Sequence, residues 1–346
     1  MSRPAPLSLL EQYDAAIFDL DGTLMHGPAP IPHAADGVAA ARDAGVRVVF
    51  ATNNASRTPD EVIAHLETVG VTGRPDEVIT SPQVAMGLLD DAVPSGSPVL
   101  VVGGDALASQ VRASGFEPRT SDADDVRAVI QGWAPTVDWS LLAEGAYAIR
   151  RGAAWIATNT DATLPTERGM APGNGSLVAC LRHATGAVPA VAGKPEPAMF
   201  QQASRMAEAS RPLAVGDRLD TDIACARAAG IDSLLVLTGV STLAEAVRAV
   251  PQQRPTWVLP DLGSLGSPCP DAVVDGERAR CASSAAELVD GDLEITGPLD
   301  APATWRAVLA LVDAARPDFA FDGAVRTADG AELPDDEIAR ALTARA

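Results

Sequence analysis

The chain has 346 residues, 47% of them hydrophobic and 21% charged, an ordinary balance for a globular protein and about two or three domains' worth of chain at roughly 150 residues each. A formal net charge of −20 repels nucleic-acid phosphates and anionic lipid, so neither is expected as a main partner. No apolar run reaches the roughly 18 residues of a membrane span, and Met1 to Asp14 lacks the basic-then-apolar order of a secretory signal, so a cytoplasmic location is expected.

The elements alternate along the first two-thirds of the chain. Ala15–Asp19 is a short apolar strand ending in an acid. His33–Ala44 has helical periodicity and stops at Gly45. Val46–Thr52 is a second strand, ending in Thr52-Asn53-Asn54. Thr58-Pro59-Asp60-Glu61 is a capping box with proline at the first helical position, and the helix it opens closes at Gly70. Ser81-Pro82 opens the next helix in the same way. Strands are predicted at Val99–Val102, Val126–Gln131, Ala154–Ala157, Ala190–Ala192, Leu213–Val215 and Ser233–Leu237, with helices between most of them. That alternation predicts a doubly wound parallel sheet, which carries its active site at the carboxyl ends of its strands. Asp19, Thr52, Lys194 and Asp217 all fall at or just beyond such ends. Beyond about Pro260 the texture changes. Leu262–Pro268 reads as a Gly/Ser/Pro linker, and 269–346 as a tail with one amphipathic helix, Thr304–Ala315, and short strands at Leu293–Ile295 and Phe319–Phe321.

Two segments carry the chemistry. Asp19-Leu20-Asp21-Gly22-Thr23 sets two carboxylates two residues apart at a turn. One can attack phosphorus while the other handles the leaving-group proton, and turn N–H groups can hold phosphate oxygens. A plain strand-end turn or a fragment of a calcium loop would look similar. Gly216-Asp217-Arg218-Leu219-Asp220-Thr221-Asp222 offers oxygen ligands for a hard cation such as Mg²⁺, with Asp217 direct and Asp222 or Asp220 behind it. Asp220 and Asp222 fit equally well as helix-start acids with Thr221 as the cap. Thr52 and Asn53 add a hydroxyl and an amide suited to a phosphoryl group, or simply to a turn. The chain has 26 basic residues, and all but Lys194 are arginine. Either codon bias left one lysine by chance, or this position needs a compact ammonium that a planar guanidinium does not replace. The four cysteines, Cys180, Cys225, Cys269 and Cys281, have no C-x-x-C spacing and read as small buried or neutral thiols in a reducing compartment.

In order, D-x-D-G-T, Thr-Asn-Asn, Gly-Lys-Pro and G-D-R-x-x-T-D resemble the haloacid dehalogenase-like phosphatases over about residues 14–260. The long gap between Asn54 and Lys194 resembles the members with a large α/β cap (NagD-like). The resemblance implies a Rossmann-like hydrolase core at 1–81 and 188–262, an inserted α/β cap at 82–187 and an extension at 263–346. That extension resembles part of an acetyltransferase fold found on some actinobacterial relatives. It has no R/Q-x-x-G-x-G/A acetyl-CoA loop, so packing, dimerisation or regulation is expected of it rather than a second activity.

Within the cap, Ala157–Pro165 and Pro172–Leu177 look like the branch of phosphoglycolate, glycerol-phosphate and pyridoxal-phosphate phosphatases. Where pyridoxal-phosphate-specific members carry histidine, this chain has Leu164, which favours a small substrate. By the resemblance, Asp19 is the nucleophile and Asp21 the acid and base. Asp19, the Asp21 carbonyl, Asp217 and Asp222 serve Mg²⁺. Gly22, Thr52, Asn53, Asn54 and Lys194 serve the phosphate, with Asn159, Asp161 and Leu164 on the cap side. The expected substrate is a small phosphorylated metabolite. Glycerol 3-phosphate comes first, then 2-phosphoglycolate, a nucleoside monophosphate or a sugar phosphate. The competing class is a non-catalytic ligand-binding or regulatory protein that keeps the fold, and self-association into a homo-oligomer is left open.

Overall fold

The computed structural model describes residues 7–54, 57–122, 124–166 and 169–343, without the side chains of Pro165 and Thr166. The stretch weighed as a secretory signal begins outside this range, as do the last three residues of the tail. The chain divides into two compact units. One comprises Met1–Ala51, Asp60–Val78 and Ala203–Ala346, the other Thr52–Pro59 and Ile79–Gln202.

The first unit is built on a six-stranded sheet. Its order is Trp257–Leu259, Asp232–Val236, Pro212–Gly216, Ala15–Phe18, Arg47–Thr52 and Val78–Thr80, and the Ala15–Phe18 strand runs parallel to both of its neighbours. Ala15–Phe18, Leu213–Val215 and Leu234–Val236 in the inner strands are apolar runs buried on both faces. Alternate residues feed two different cores. Phe18, Phe50, Val215, Val236 and Trp257 point into one. Leu235 and Val258 point into the other, which they share with Trp305, Leu309, Val312 and Phe321. The expected doubly wound sheet is therefore present, with helices Ala34–Asp43, Pro59–Thr68, Ala224–Ala229 and Leu243–Arg248 accompanying its strands.

The carboxyl-terminal segment is part of this second core. Strands Val273–Asp275, Arg278–Cys281, Ser284–Val289 and Asp292–Thr296 form an antiparallel meander, and Val325–Thr327 adds to Asp292–Thr296 in parallel. Helix Pro302–Ala315 lies over it with Trp305, Val308, Leu311 and Val312 buried. Arg254, 1% exposed, donates to the carbonyls of Val312, Arg316 and Phe319 and so closes the carboxyl end of that helix.

Two expectations for the tail are corrected here. Phe319–Phe321 is not a strand: Phe321 is 2% exposed and Phe319 74%, whereas residues two apart on a strand share a face. Pro317 ends the helix and leaves an irregular return to Val325–Thr327. Nor is Leu262–Pro268 a free linker. Leu262 and Leu265 are buried in the first core, a Cβ on Gly37 would lie 2.6 Å from Leu262, and Pro268 bridges to Ser8.

The second unit has its own sheet, ordered Ala190–Val191, Ala154–Ala157, Ala128–Gln131, Pro98–Val102 and Glu117–Arg119, parallel throughout. Helices Trp139–Arg150 and Asn174–Thr185 help close a core of Leu100, Val102, Val129, Ile149, Trp155 and Leu181. The strand predicted from Val126 starts at Ala128. An antiparallel hairpin, Thr163–Thr166 with Gly169–Pro172, carries Leu164 opposite Ala171.

Among the described residues no helix is long and apolar enough to cross a membrane. All four cysteines are free. Cys225 and Cys281 are buried as expected, but Cys180 is exposed. Burial pushes the Cys269 thiol up to about 12 and the Cys281 thiol to about 11, so both are neutral.

Candidate active site

In the first unit, three acids converge at the carboxyl ends of adjacent strands. Asp19 directly follows Ala15–Phe18, and its N–H is tied to the Val215 carbonyl at 2.8 Å. Asp217 follows Pro212–Gly216. Asp222 lies in a π-helical turn, Leu219–Ile223, that runs straight into helix Ala224–Ala229. Asp19, Asp217 and Asp222 are 9%, 0% and 1% exposed, and one carboxylate oxygen of each lies within 4.8 Å of the others.

Three buried carboxylates this close repel one another strongly unless a proton or a cation sits among them. An all-oxygen donor set of this kind suits a hard divalent ion such as Mg²⁺.

The backbone is moulded around Asp217. Gly22, at φ +90°, would place a Cβ 2.4 Å from Asp217 Oδ2, and Gly239 would place one 1.9 Å from the same atom. Only glycine allows either approach. The Val240 N–H donates to Asp217 Oδ2 at 2.7 Å, while Asp222 Oδ2 accepts from the Arg218 N–H at 3.1 Å.

Asp220, weighed with Asp222 as a supporting acid, is outside the group. It pairs with the Arg218 guanidinium at 3.0 and 2.8 Å, and that hydrogen bonding holds its carboxyl below the usual range. Thr221 does not cap a helix; Ile223 stands at the cap position. The Asp21 side chain is exposed to solvent. Gly22 donates its N–H to the Met25 carbonyl at 2.7 Å within the same turn.

The remaining candidates group in the second unit. Thr52 is 4% exposed, and its Oγ1 accepts the Asn54 N–H at 3.0 Å. Asn54 itself is exposed. The Asn53 amide is committed to the Lys194 loop: Oδ1 accepts the Lys194 N–H at 2.8 Å, and Nδ2 donates to the Lys194 carbonyl at 3.0 Å and to Asp161 Oδ1 at 3.3 Å. Its side chain thus positions Lys194, a different job from the direct phosphoryl contact expected of it. Lys194 is 3% exposed, and its Nζ lies 6.0 Å from the centre of the Phe200 ring. Gly193 lets this loop approach, since a Cβ there would lie 2.7 Å from Asn53 Oδ1.

Asn159 Oδ1 accepts the Asp161 N–H at 3.3 Å, and Asn174 Nδ2 donates to the Asn159 carbonyl at 2.8 Å. Gly173 and Gly175 bring the start of helix Asn174–Thr185 onto this loop; their Cβ atoms would meet Asp161 O at 2.3 Å and Thr160 O at 2.1 Å. Leu164 is half-buried on the hairpin.

Sequence reasoning missed Thr238–Ser241. The signal was available: a Thr-Gly-Val-Ser turn directly after the predicted strand Ser233–Leu237, at the same carboxyl edge as the other site residues.

Comparison with known proteins gives the family. A family model described as haloacid dehalogenase-like hydrolase matches residues 16–117, and a second, HAD-hydrolase-like, matches 191–265. D-glycerol 3-phosphate phosphatase of Mycobacterium tuberculosis is 45% identical over 314 residues, 87% of this chain and 88% of its own. The chain belongs to the haloacid dehalogenase-like hydrolases. A 5′-nucleotidase of Bacillus subtilis is 36% identical over 67% of this chain and 90% of its own. Crystal structures of the mycobacterial glycerol phosphate phosphatase with calcium and with magnesium superpose with TM-scores of 0.82 and 0.80, at 41% identity over 98% of both chains. NagD of Escherichia coli K-12 superposes at 0.65, with 31% identity over 72% of this chain and 97% of its own. The larger coverage of the mycobacterial protein means that the likeness extends through the carboxyl-terminal segment.

Proposed function

We propose that this hydrolase is a Mg²⁺-dependent phosphatase that takes glycerol 3-phosphate and passes its phosphoryl group through Asp19. The buried trio Asp19, Asp217 and Asp222 is the observation that carries the chemistry. Glycerol 3-phosphate is supported by the mycobacterial relative, whose name states that substrate, and by the aliphatic Leu164 on the hairpin.

Asp19 attacks phosphorus as the ester P–O bond breaks, giving an aspartyl phosphate and an alkoxide. Asp21 gives its proton to that alkoxide, releasing glycerol. The Asp21 carboxylate then takes a proton from water as the water oxygen attacks the same phosphorus, which frees inorganic phosphate and restores Asp19. Asp19, the Asp21 carbonyl, Asp217 and Asp222 would hold Mg²⁺; when bound, it offsets the repulsion between a carboxylate nucleophile and a phosphate dianion. Thr52, Asn54, the Asn53 backbone, the Gly22 turn and Lys194 serve the phosphoryl oxygens, with Asn53's amide holding Lys194 in place. On this reading Asn159, Asp161 and Leu164 serve the alcohol part of the substrate. In this scheme residues 1–81 and 188–262 are the hydrolase core, 82–187 the cap and 263–346 the extension.

A panel of phosphate monoesters assayed with Mg²⁺ and with chelator tests the assignment. Glycerol 3-phosphate is expected to give the highest kcat/KM, ahead of 2-phosphoglycolate, sugar phosphates and nucleoside monophosphates, and chelator to abolish release. A nucleoside monophosphate leading the panel would replace the substrate assignment with the activity named for the Bacillus relative.

A further inference from the structure

The Leu237–Ser241 segment has no assigned part in the reaction, yet it ties together the two loops that carry the buried acids. It follows the Asp232–Val236 strand. Thr238 Oγ1 donates to the Gly22 carbonyl at 2.7 Å, one residue past Asp21. The Thr238 carbonyl lies 2.9 Å from His26 Nε2, which donates to it from the far side of the same loop. Further along, the Val240 N–H holds Asp217 Oδ2 and the Ser241 N–H holds the Asp217 carbonyl at 3.0 Å. Ser241 Oγ accepts the Leu219 N–H at 3.0 Å. Five hydrogen bonds thus leave one short segment, two to the Gly22–His26 loop and three to the Asp217–Leu219 loop.

A side chain held from one loop alone could drift relative to the other; a segment bonded to both fixes their separation. That separation sets how far Asp19 and Asp21 stand from Asp217. In phosphoryl transfer, displacement of reacting groups by a fraction of an ångström is costly, because positioning and electrostatics supply nearly all of the rate.

We infer that Thr238 is a positioning residue of the phosphatase reaction, its hydroxyl fixing the Asp19–Gly22 loop against Asp217. This inference rests on the phosphatase assignment for its kinetic test, but not for its binding test. The informative comparison is Thr238→Ser with Thr238→Ala. Both lack the methyl, and only serine keeps the donor.

The two variants are compared at a temperature where circular dichroism shows both folded. With glycerol 3-phosphate, kcat of the alanine variant should fall at least ~10-fold below that of the serine variant, with KM changed less than ~3-fold, as expected when a transition-state arrangement and not substrate binding is lost. Calorimetric titration with Mg²⁺ in the absence of substrate should show weaker binding to the alanine variant. A purely structural hydroxyl would lower the melting temperature and leave both ratios near one. Equal kcat and equal Mg²⁺ affinity in the two variants would overturn the inference. Should the wild type release no phosphate from any monoester, the phosphatase assignment fails, and the Mg²⁺ titration alone still decides the role of Thr238.

Discussion

The chemistry of this protein is concentrated in single atoms. Asp19→Asn removes the carboxylate proposed as the nucleophile while keeping its size, so phosphate release should fall by at least ~10⁴-fold; near wild-type turnover would sink the covalent mechanism. Lys194 sets a finer problem. It is the only lysine in the chain, it is nearly fully buried, and Asn53 grips its backbone on both sides. A guanidinium needs more room and presents its charge over a planar fork. Lys194→Arg is therefore expected to lower kcat by at least ~10-fold, which corresponds to about 1.4 kcal/mol of transition-state stabilisation. Unchanged kinetics would mean that the lone lysine is a residue of codon usage.

Between elements of the first unit, a bidentate ion pair joins helix Ala34–Asp43 to the turn before strand Val78–Thr80. Arg42 meets Glu77 with two hydrogen bonds, 2.8 and 2.7 Å long, and Arg74 adds its N–H. Burial pushes the Glu77 carboxyl up, but these partners outweigh it and hold the group below its ordinary 4.5. Because the folded value is depressed, the stabilisation is complete above the unfolded value and is lost as pH falls through the folded one. Glu77→Gln should cost about 1–3 kcal/mol near neutrality, measured by denaturant titration, with the gap to wild type closing as pH falls below the ordinary 4.5 and through the depressed folded value. A gap that persisted unchanged into strong acid would rule out the ionic account. At this scale the sequence is readable where burial is two-sided. The runs at Ala15–Phe18, Val48–Ala51 and Leu213–Val215 are apolar throughout, so their ends, and hence Asp19, Thr52 and Asp217, could be located without a structure. What distant contacts decide could not be read. Asn53 looks like a phosphate ligand until Lys194, 141 positions away, is seen to occupy its amide. Phe319 and Phe321 look like a strand because the proline turn between helix and return is indistinguishable from a strand start. Thr238 looks like any turn residue until the Gly22 carbonyl, 216 positions away, is placed beside it.

At the scale of the molecule, the carboxyl-terminal segment behaves as part of the first unit's interior. Leu243, Val247 and Val258 share a core with Trp305, Val308, Leu311 and Phe321, Arg306 stacks 4.4 Å from the Trp257 ring, and Arg254 is buried among the segment's carbonyls. Uncovering even three aliphatic side chains costs about 4–9 kcal/mol, comparable with the roughly 5–15 kcal/mol that holds a whole domain folded. Deleting 263–346 should therefore yield aggregated protein or a large fall in melting temperature, followed by calorimetry and light scattering; a soluble truncation that melted with the wild type would show the segment to be a detachable module. The shared core also has a consequence during synthesis. The apolar face around Val258 is complete only when residues 263–346 have left the ribosome. At ~5–20 residues per second, residues 263–346 take on the order of 4–17 s to be made. For that interval the sheet that will present Asp19 is already made but remains bare on one side, so a prematurely terminated message would deliver a sticky polypeptide to the cell's chaperones and proteases, with no working shorter enzyme to show for it.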